Sequence, residues 1–147
     1  IYKNAKIIDD YGHHPEEIKA ALSATKLIGD KSKVLAIFQP HRYSRLKNHF
    51  SEFCSCFNDA DEVVLLNVYA AGEKQIANYN NIDLENGIRN YGHKNVSSVI
   101  NDEDIYKIIL NKINSYQIII FLGAGDITKM ANNLKKELEI LSKQSRL

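Results

Sequence analysis

The sequence has little charge imbalance, no long apolar run and almost no cysteine. Its 147 residues include 19 basic and 18 acidic side chains, a net charge of +1. That balance argues against a nucleic-acid grip driven by a broad basic field. The longest apolar run, Ile118 to Leu122, is five residues, far short of the roughly 20 that a membrane-crossing helix needs. Two cysteines cannot build a disulfide framework, and no basic segment with a small-residue cleavage site opens the chain, so a reducing cytoplasm is the expected compartment. The chain opens on Ile1 rather than Met, directly before strand-like residues, and is expected to be a piece of a longer protein. No repeat, low-complexity tract or proline-rich linker divides it. A hydrophobic fraction of 44% with 25% charged residues predicts one globular domain over residues 1–147.

Lys33 to Pro40 (KVLAIFQP), Asp61 to Tyr69 (DEVVLLNVY) and Tyr116 to Gly123 (YQIIIFLG) are short apolar runs rich in β-branched and aromatic residues, and they predict buried strands. Weaker strands are predicted at Lys6 to Asp10 and Val96 to Ile100. Ile18, Ala21, Leu22 and Thr25 share a helical face after Pro15, and Ile105, Ile108, Ile109 and Lys112 repeat the spacing. Pro15 suits a first helical position, followed by Glu16 and Glu17 at the positive end of the dipole. Further helices are predicted over Arg42 to Phe57, Ile82 to Tyr91 and Ile127 to Leu141. Ala77 to Asp83 reads as a mobile polar connection and Ser142 to Leu147 as a frayed tail. Alternating strands and helices predict a Rossmann-like three-layer α/β domain, with a mostly parallel sheet of about six strands and helices on both faces.

In such a sheet ligands bind beyond the carboxyl ends of the strands. Four segments there carry unusual chemistry: Asp9 to Pro15 (DDYGHHP), Gln39 to Arg45 (QPHRYSR), Val68 to Glu73 (VYAAGE) and Gly123 to Asp126 (GAGD). Arg42 and Arg45, one turn apart on the predicted helix, could present both guanidinium forks on one face to a carboxylate or phosphate. Gly123 and Gly125 would let backbone amides approach an anion where the last helix starts. Each feature also has a plainer reading. Asp9 and Asp10 could cap the following helix, His14 suits the N-cap before Pro15, and paired arginines often decorate a solvated face. Gly123-Ala124-Gly125 lacks the third glycine of a dinucleotide fingerprint. Cys54 and Cys56 are expected to pack, and His49 and His93 to lie at the surface. A zinc site from His13, His41 and Asp9 lacks any spacing that fixes two ligands on one element.

The strings DDYGHHPEEI at Asp9 to Ile18, FQPHRYSR at Phe38 to Arg45, VYAAGE at Val68 to Glu73 and GAGDITK at Gly123 to Lys129 resemble, in order, the C-terminal domain of the Mur ligases. QPHRYSR resembles the branch that adds L-alanine rather than the murein peptide-recycling branch. The stretch Lys74 to Asn90 departs from the family pattern in being rich in Asn. The resemblance implies an ATP- and Mg²⁺-dependent ligase that joins L-alanine to UDP-N-acetylmuramate through an acyl phosphate in peptidoglycan synthesis. It also implies separate N-terminal UDP-binding and central ATPase domains.

Carried over position by position, the resemblance gives Asp10 to the ATP ribose and Tyr11 and His13 to the alanine pocket. Arg42 and Arg45 go to the amino-acid and acyl-phosphate end. His14, His41, Tyr69, Glu73, Gly123 and Gly125 are expected to shape the site. No Gly-Lys-Thr phosphate loop occurs in the chain, so neither a catalytic residue nor a metal ligand is expected within it, and the chain alone is not expected to catalyse. The alternatives are a stand-alone nucleotide-binding Rossmann-like module and a metal-dependent hydrolase built on His13 and His41.

Overall fold

The computed structural model describes residues 5–29 and 31–144. Along the chain run β1 (Lys6–Asp10), α1 (Pro15–Thr25), β2 (Val34–Phe38), α2 (Tyr43–Asn48), α3 (Phe50–Ser55), β3 (Glu62–Leu65), α4 (Asn81–Asn90), β4 (Val96–Ser98), α5 (Ile105–Lys112), β5 (Ile118–Leu122) and α6 (Ile127–Gln144). The strands form one sheet in the order β1-β5-β2-β3-β4, and every neighbouring pair is parallel. The expected three-layer α/β architecture is present, with five strands among the described residues rather than about six.

Strands β2 and β5 are buried along their whole length, because helices cover both faces. Ile18 and Leu22 of α1, Leu46 of α2, Phe53 of α3 and Leu84 and Ile88 of α4 pack on one face against Val34, Ala36, Phe38 and Ile120. Ile105 and Ile109 of α5 and Ile127, Ala131, Leu134 and Leu138 of α6 cover the other against Leu35, Ile37, Val64 and Phe121. Cys54 and Cys56 are buried in the first of these cores, and burial pushes the Cys54 thiol up to about 11, so both pack as small apolar groups. Gly87 is needed where α4 crosses α3, since a Cβ there would sit 2.3 Å from the Cys54 sulfur.

Several boundaries differ from expectation for local reasons. The helix predicted over Arg42 to Phe57 starts at Tyr43 and breaks at His49 (φ −124°, ψ 27°), which closes α2 and opens α3. The strand predicted to reach Tyr69 leaves the ladder after Leu66, because Asn67 turns away to bond Asp102 and the Ile100 carbonyl. Ala77 to Asp83 is a connection only as far as Asn80, whose side chain caps the Asp83 amide while Asp83 caps Asn80 in return. Asn81 already lies in α4, and its buried amide donates to the Val99 carbonyl at 3.0 Å. The asparagines of this stretch thus supply turn and cap chemistry, including the left-handed Asn78 (φ 71°). Helix α6 continues to Gln144 through part of the expected tail; residues 145–147 and Ile1 lie outside the described residues. His49 and His93 are half-buried rather than superficial. His49 meets the His14 ring edge-on at 4.6 Å, and His93 Nε2 lies 2.7 Å from the Ala60 carbonyl.

The amino-terminal edge of the sheet is tied by polar clasps. Buried Glu62 accepts from the Tyr116 hydroxyl at 2.5 Å and pairs with Lys112 at 2.8 Å, which joins β3 to the segment entering β5. Asp61 caps the Val34 amide and Gln117 the Lys33 amide, both at 2.7 Å. Among the described residues no helix is long and apolar enough to cross a membrane.

Candidate functional site

The strand order decides where a cleft can form. After β2 the chain turns to the face covered by α2 and α3, whereas after β5 it turns to the face covered by α6. These neighbouring strands therefore send their loops apart, which leaves a crevice at their carboxyl ends. Backbone bonds keep the loops in step beyond the sheet: Gln39 N–H donates to the Leu122 carbonyl at 3.0 Å and Gly123 N–H to the Asp10 carbonyl at 3.2 Å.

Asp10 ends β1 half-buried, and its Oδ1 accepts the Gly12 amide at 2.8 Å. Among the described residues Oδ2 has no hydrogen-bond partner. Asp9 is exposed and takes the Thr128 hydroxyl at 3.3 Å. Neither aspartate caps α1. That helix begins with His14 at the N-cap, as expected, and Glu17 accepts the His14 amide at 3.1 Å. Tyr11 is exposed, and its ring meets His13 edge-on at 5.2 Å, with His13 in turn 6.2 Å from His41.

Beyond β2 and β3 the two chains rejoin. His41 and Tyr69 form an isolated parallel bridge, their rings stack at 5.3 Å with only 14° between planes, and Tyr69 N–H donates to the Pro40 carbonyl at 2.7 Å. Arg45 folds back so that Nη1 stands 3.2 Å from His41 Nδ1. A guanidinium can only donate, so Nδ1 is the acceptor and His41 is neutral with its proton on Nε2. Burial lowers the His41 pKa below 6.5, and the nearby Arg45, Arg42 and His13 lower it further against the opposing pull of Glu73.

Arg42 and Arg45 do not share a helical face. Arg42 precedes α2 in a left-handed conformation, φ 74° and ψ 133°, because its amide is drawn to the Tyr69 carbonyl at 2.7 Å. The pair nevertheless flanks one imidazole, and among the described residues neither guanidinium forms an ion pair. Glu73 bonds Ser44 through both carboxylate oxygens.

The glycines serve close approach. A Cβ on Gly125 would lie 2.7 Å from Gln39 Oε1 and 3.0 Å from the Tyr69 ring, and one on Gly123 would lie 3.1 Å from the Gln39 carbonyl. Asp126 stands at the N-cap of α6, its carbonyl taking the Met130 amide at 3.3 Å, and its carboxylate accepts Gln39 Nε2 at 2.6 Å. Gln39, Asp126 and Ser44 were not singled out by sequence reasoning. The one available signal is a glutamine ending an otherwise apolar strand: buried Gln39 has an Oε1 with no partner among the described residues. No group of three His, Cys, Asp or Glu side chains among the described residues is arranged to hold a metal ion. The chemistry on offer is recognition: two guanidinium groups without an ion pair among the described residues, a neutral imidazole, a phenol and a carboxylate with one oxygen open among those residues suit an anionic and hydroxylated ligand.

A doubly wound parallel sheet with Arg42, Arg45 and His41 gathered at its strand ends defines the class as a Rossmann-like α/β domain. The Mur ligase, glutamate ligase domain family matches residues 1–125, and the chain belongs to that family. Among curated relatives, the UDP-N-acetylmuramate–L-alanine ligase of Rhodospirillum centenum is 45% identical over 135 residues, covering 92% of this chain and 28% of that protein. The protein of the same name from Rickettsia felis is 45% identical over 140 residues, covering 93% and 29%. The chain thus spans less than a third of the length of these relatives. A crystal structure of a UDP-N-acetylmuramate–alanine ligase from Thermotoga maritima matches with a TM-score of 0.70 at 28% identity, over 92% of this chain and 27% of that one. A murein peptide ligase from Psychrobacter arcticus shares the fold at a TM-score of 0.72 and 18% identity, over 92% of this chain and 28% of that one.

Proposed function

We propose that residues 1–147 are the C-terminal domain of a cytoplasmic ligase that joins L-alanine to the lactyl carboxylate of UDP-N-acetylmuramate, using ATP and Mg²⁺, in peptidoglycan synthesis. The observation that carries this reading is the pair of arginines that, among the described residues, have no carboxylate partner and stand beside a neutral imidazole, in a chain whose relatives bear that ligase's name. Arg42 and Arg45 bind and orient anionic oxygen, the alanine carboxylate or the phosphorylated end of the sugar acid. Tyr11 and His13 form the wall of the amino-acid pocket. The open Oδ2 of Asp10 suits a ribose hydroxyl, which can donate to it while the Gly12 amide holds the other oxygen. ATP, when bound, supplies the phosphoryl group that activates the sugar carboxylate. A phosphate loop and metal ligands are assigned to the partner domains of the same polypeptide, so this chain's task is positioning.

The test is steady-state kinetics of the intact ligase with alanine varied. Arg42→Lys keeps the charge and removes the fork, and kcat/KM for alanine is expected to fall at least about tenfold, roughly 1.4 kcal/mol, at unchanged melting temperature. Wild-type values would overturn the assignment, as would an intact protein that forms no UDP-N-acetylmuramoyl-L-alanine. Asp10→Ala is expected to weaken ATP binding by about 1–3 kcal/mol and leave the sugar KM unchanged.

A further inference from the structure

Arg42 is strained. A side chain at φ 74°, ψ 133° crowds its own backbone, and such a residue persists only where its surroundings over-determine it. Two ties do so here. One is the bond from the Arg42 amide to the Tyr69 carbonyl. The other comes from Glu73, which directly follows a left-handed pair. Ala71 (φ 51°) and Gly72 (φ 88°) form a tight turn closed by Glu73 N–H to the Ala70 carbonyl at 3.0 Å. The turn brings the Glu73 carboxylate to the start of α2. There Oε1 accepts the Ser44 amide at 3.0 Å and Oε2 the Ser44 hydroxyl at 2.5 Å.

This arrangement is unusual for a glutamate beside an arginine. Arg42 is close enough to help lower the Glu73 pKa, yet the bonds from Ser44 are the main cause of that lowering, and the two side chains form no ion pair. Both Glu73 oxygens are engaged by Ser44, and the Arg42 guanidinium is not bound to either of them. We propose that Glu73 is a positioning residue: by clasping Ser44 it holds Arg42 in its left-handed conformation and so aims the Arg42 guanidinium at the carboxylate of the incoming amino acid. The aim at an amino acid rests on the function proposed above; the clasp itself does not.

The experiment has a kinetic and a thermal arm, both on the intact ligase. In the kinetic arm, Glu73→Ala raises KM for alanine about tenfold and moves KM for the sugar nucleotide less than twofold. Glu73→Gln, which keeps one acceptor for the Ser44 amide, recovers part of the loss. In an Arg42→Ala background Glu73→Ala adds nothing further to KM for alanine. An equal loss in both backgrounds, or an equal rise in both KM values, overturns the proposal. If Glu73→Ala does not fold, Ser44→Ala takes its place, with an expected rise of about threefold that also vanishes in the Arg42→Ala background.

The thermal arm does not depend on activity. Glycine tolerates the left-handed conformation, so Arg42→Gly raises the melting temperature when Glu73 is present. The gain is at most half as large in Glu73→Ala, where Arg42 is already released. Equal gains overturn the clasp, even in a protein that ligates no alanine, an outcome that would overturn the functional reading separately.

Discussion

The two ends of the sheet spend similar polar residues in opposite ways. At the amino-terminal edge, Glu62, Asp61 and Gln117 each close a bond between neighbouring segments. At the carboxyl edge, Arg42, Ala71 and Asn78 hold left-handed backbone conformations that non-glycine residues avoid, and among the described residues Gln39 Oε1 is buried without a partner and the arginines stand without carboxylates. The first edge is stabilised by completed pairs; the second keeps strain and unused bonding capacity, the usual mark of a binding site. The same α/β frame therefore separates stability from recognition along one axis, and substitutions should divide accordingly.

The largest effect on folding is expected at the clasped edge. Glu62→Ala removes a buried carboxylate from beneath Tyr116 and Lys112, which should destabilise the chain by about 2–3 kcal/mol, since a partner left behind costs more than the pair contributes. Urea unfolding should record the loss while KM for alanine in the intact ligase stays put. A folded variant with damaged kinetics would break the comparison. Gly125→Ala sharpens it from the other side. The new methyl group meets Gln39 and Tyr69, and relief requires the Gln39 amide and the Tyr69 ring, which stacks on His41, to shift. We expect about 1 kcal/mol of destabilisation, together with a fall in kcat/KM for alanine larger than that loss would explain. Unchanged kinetics would mean that the stack does not shape the site.

The smallest effect is in acid. Because the His41 pKa is lowered in the folded state, the unfolded chain binds the proton first as pH drops below 6.5. Stability from this group is present above pH 6.5 and is lost as pH falls toward its folded pKa. Glu73, also lowered from 4.5, adds a second loss only at lower pH. The urea midpoint should decline between pH 7 and pH 5.5, and His41→Gln should flatten that decline. A decline identical in the variant would assign it elsewhere.

Much of the fold was legible because burial leaves a local imprint. The all-apolar runs became β2 and β5, and Pro15 with its glutamates marked the start of α1. The four motif strings placed their residues at the strand ends because the motifs follow strands in the sequence. The Arg42–Arg45 pairing was misread for an equally local reason: helical spacing continues through Arg42, and nothing in QPHRYSR announces that a carbonyl 27 positions later draws its amide out of the helix. Asn67 and Gln39 were silent in the same way, as each depends on a partner far along the chain.

By itself the sequence determined the α/β class, the alternation of elements, the two covered faces and the family, since periodicity and motif order are written residue by residue. Only the tertiary structure decided that β5 lies between β1 and β2, that the cleft opens where the loops after β2 and β5 part, and that Glu73 reaches Ser44 while Arg42 is held left-handed. Those outcomes come from contacts between residues distant in the chain, where the geometry of one segment is fixed by bonds that another supplies.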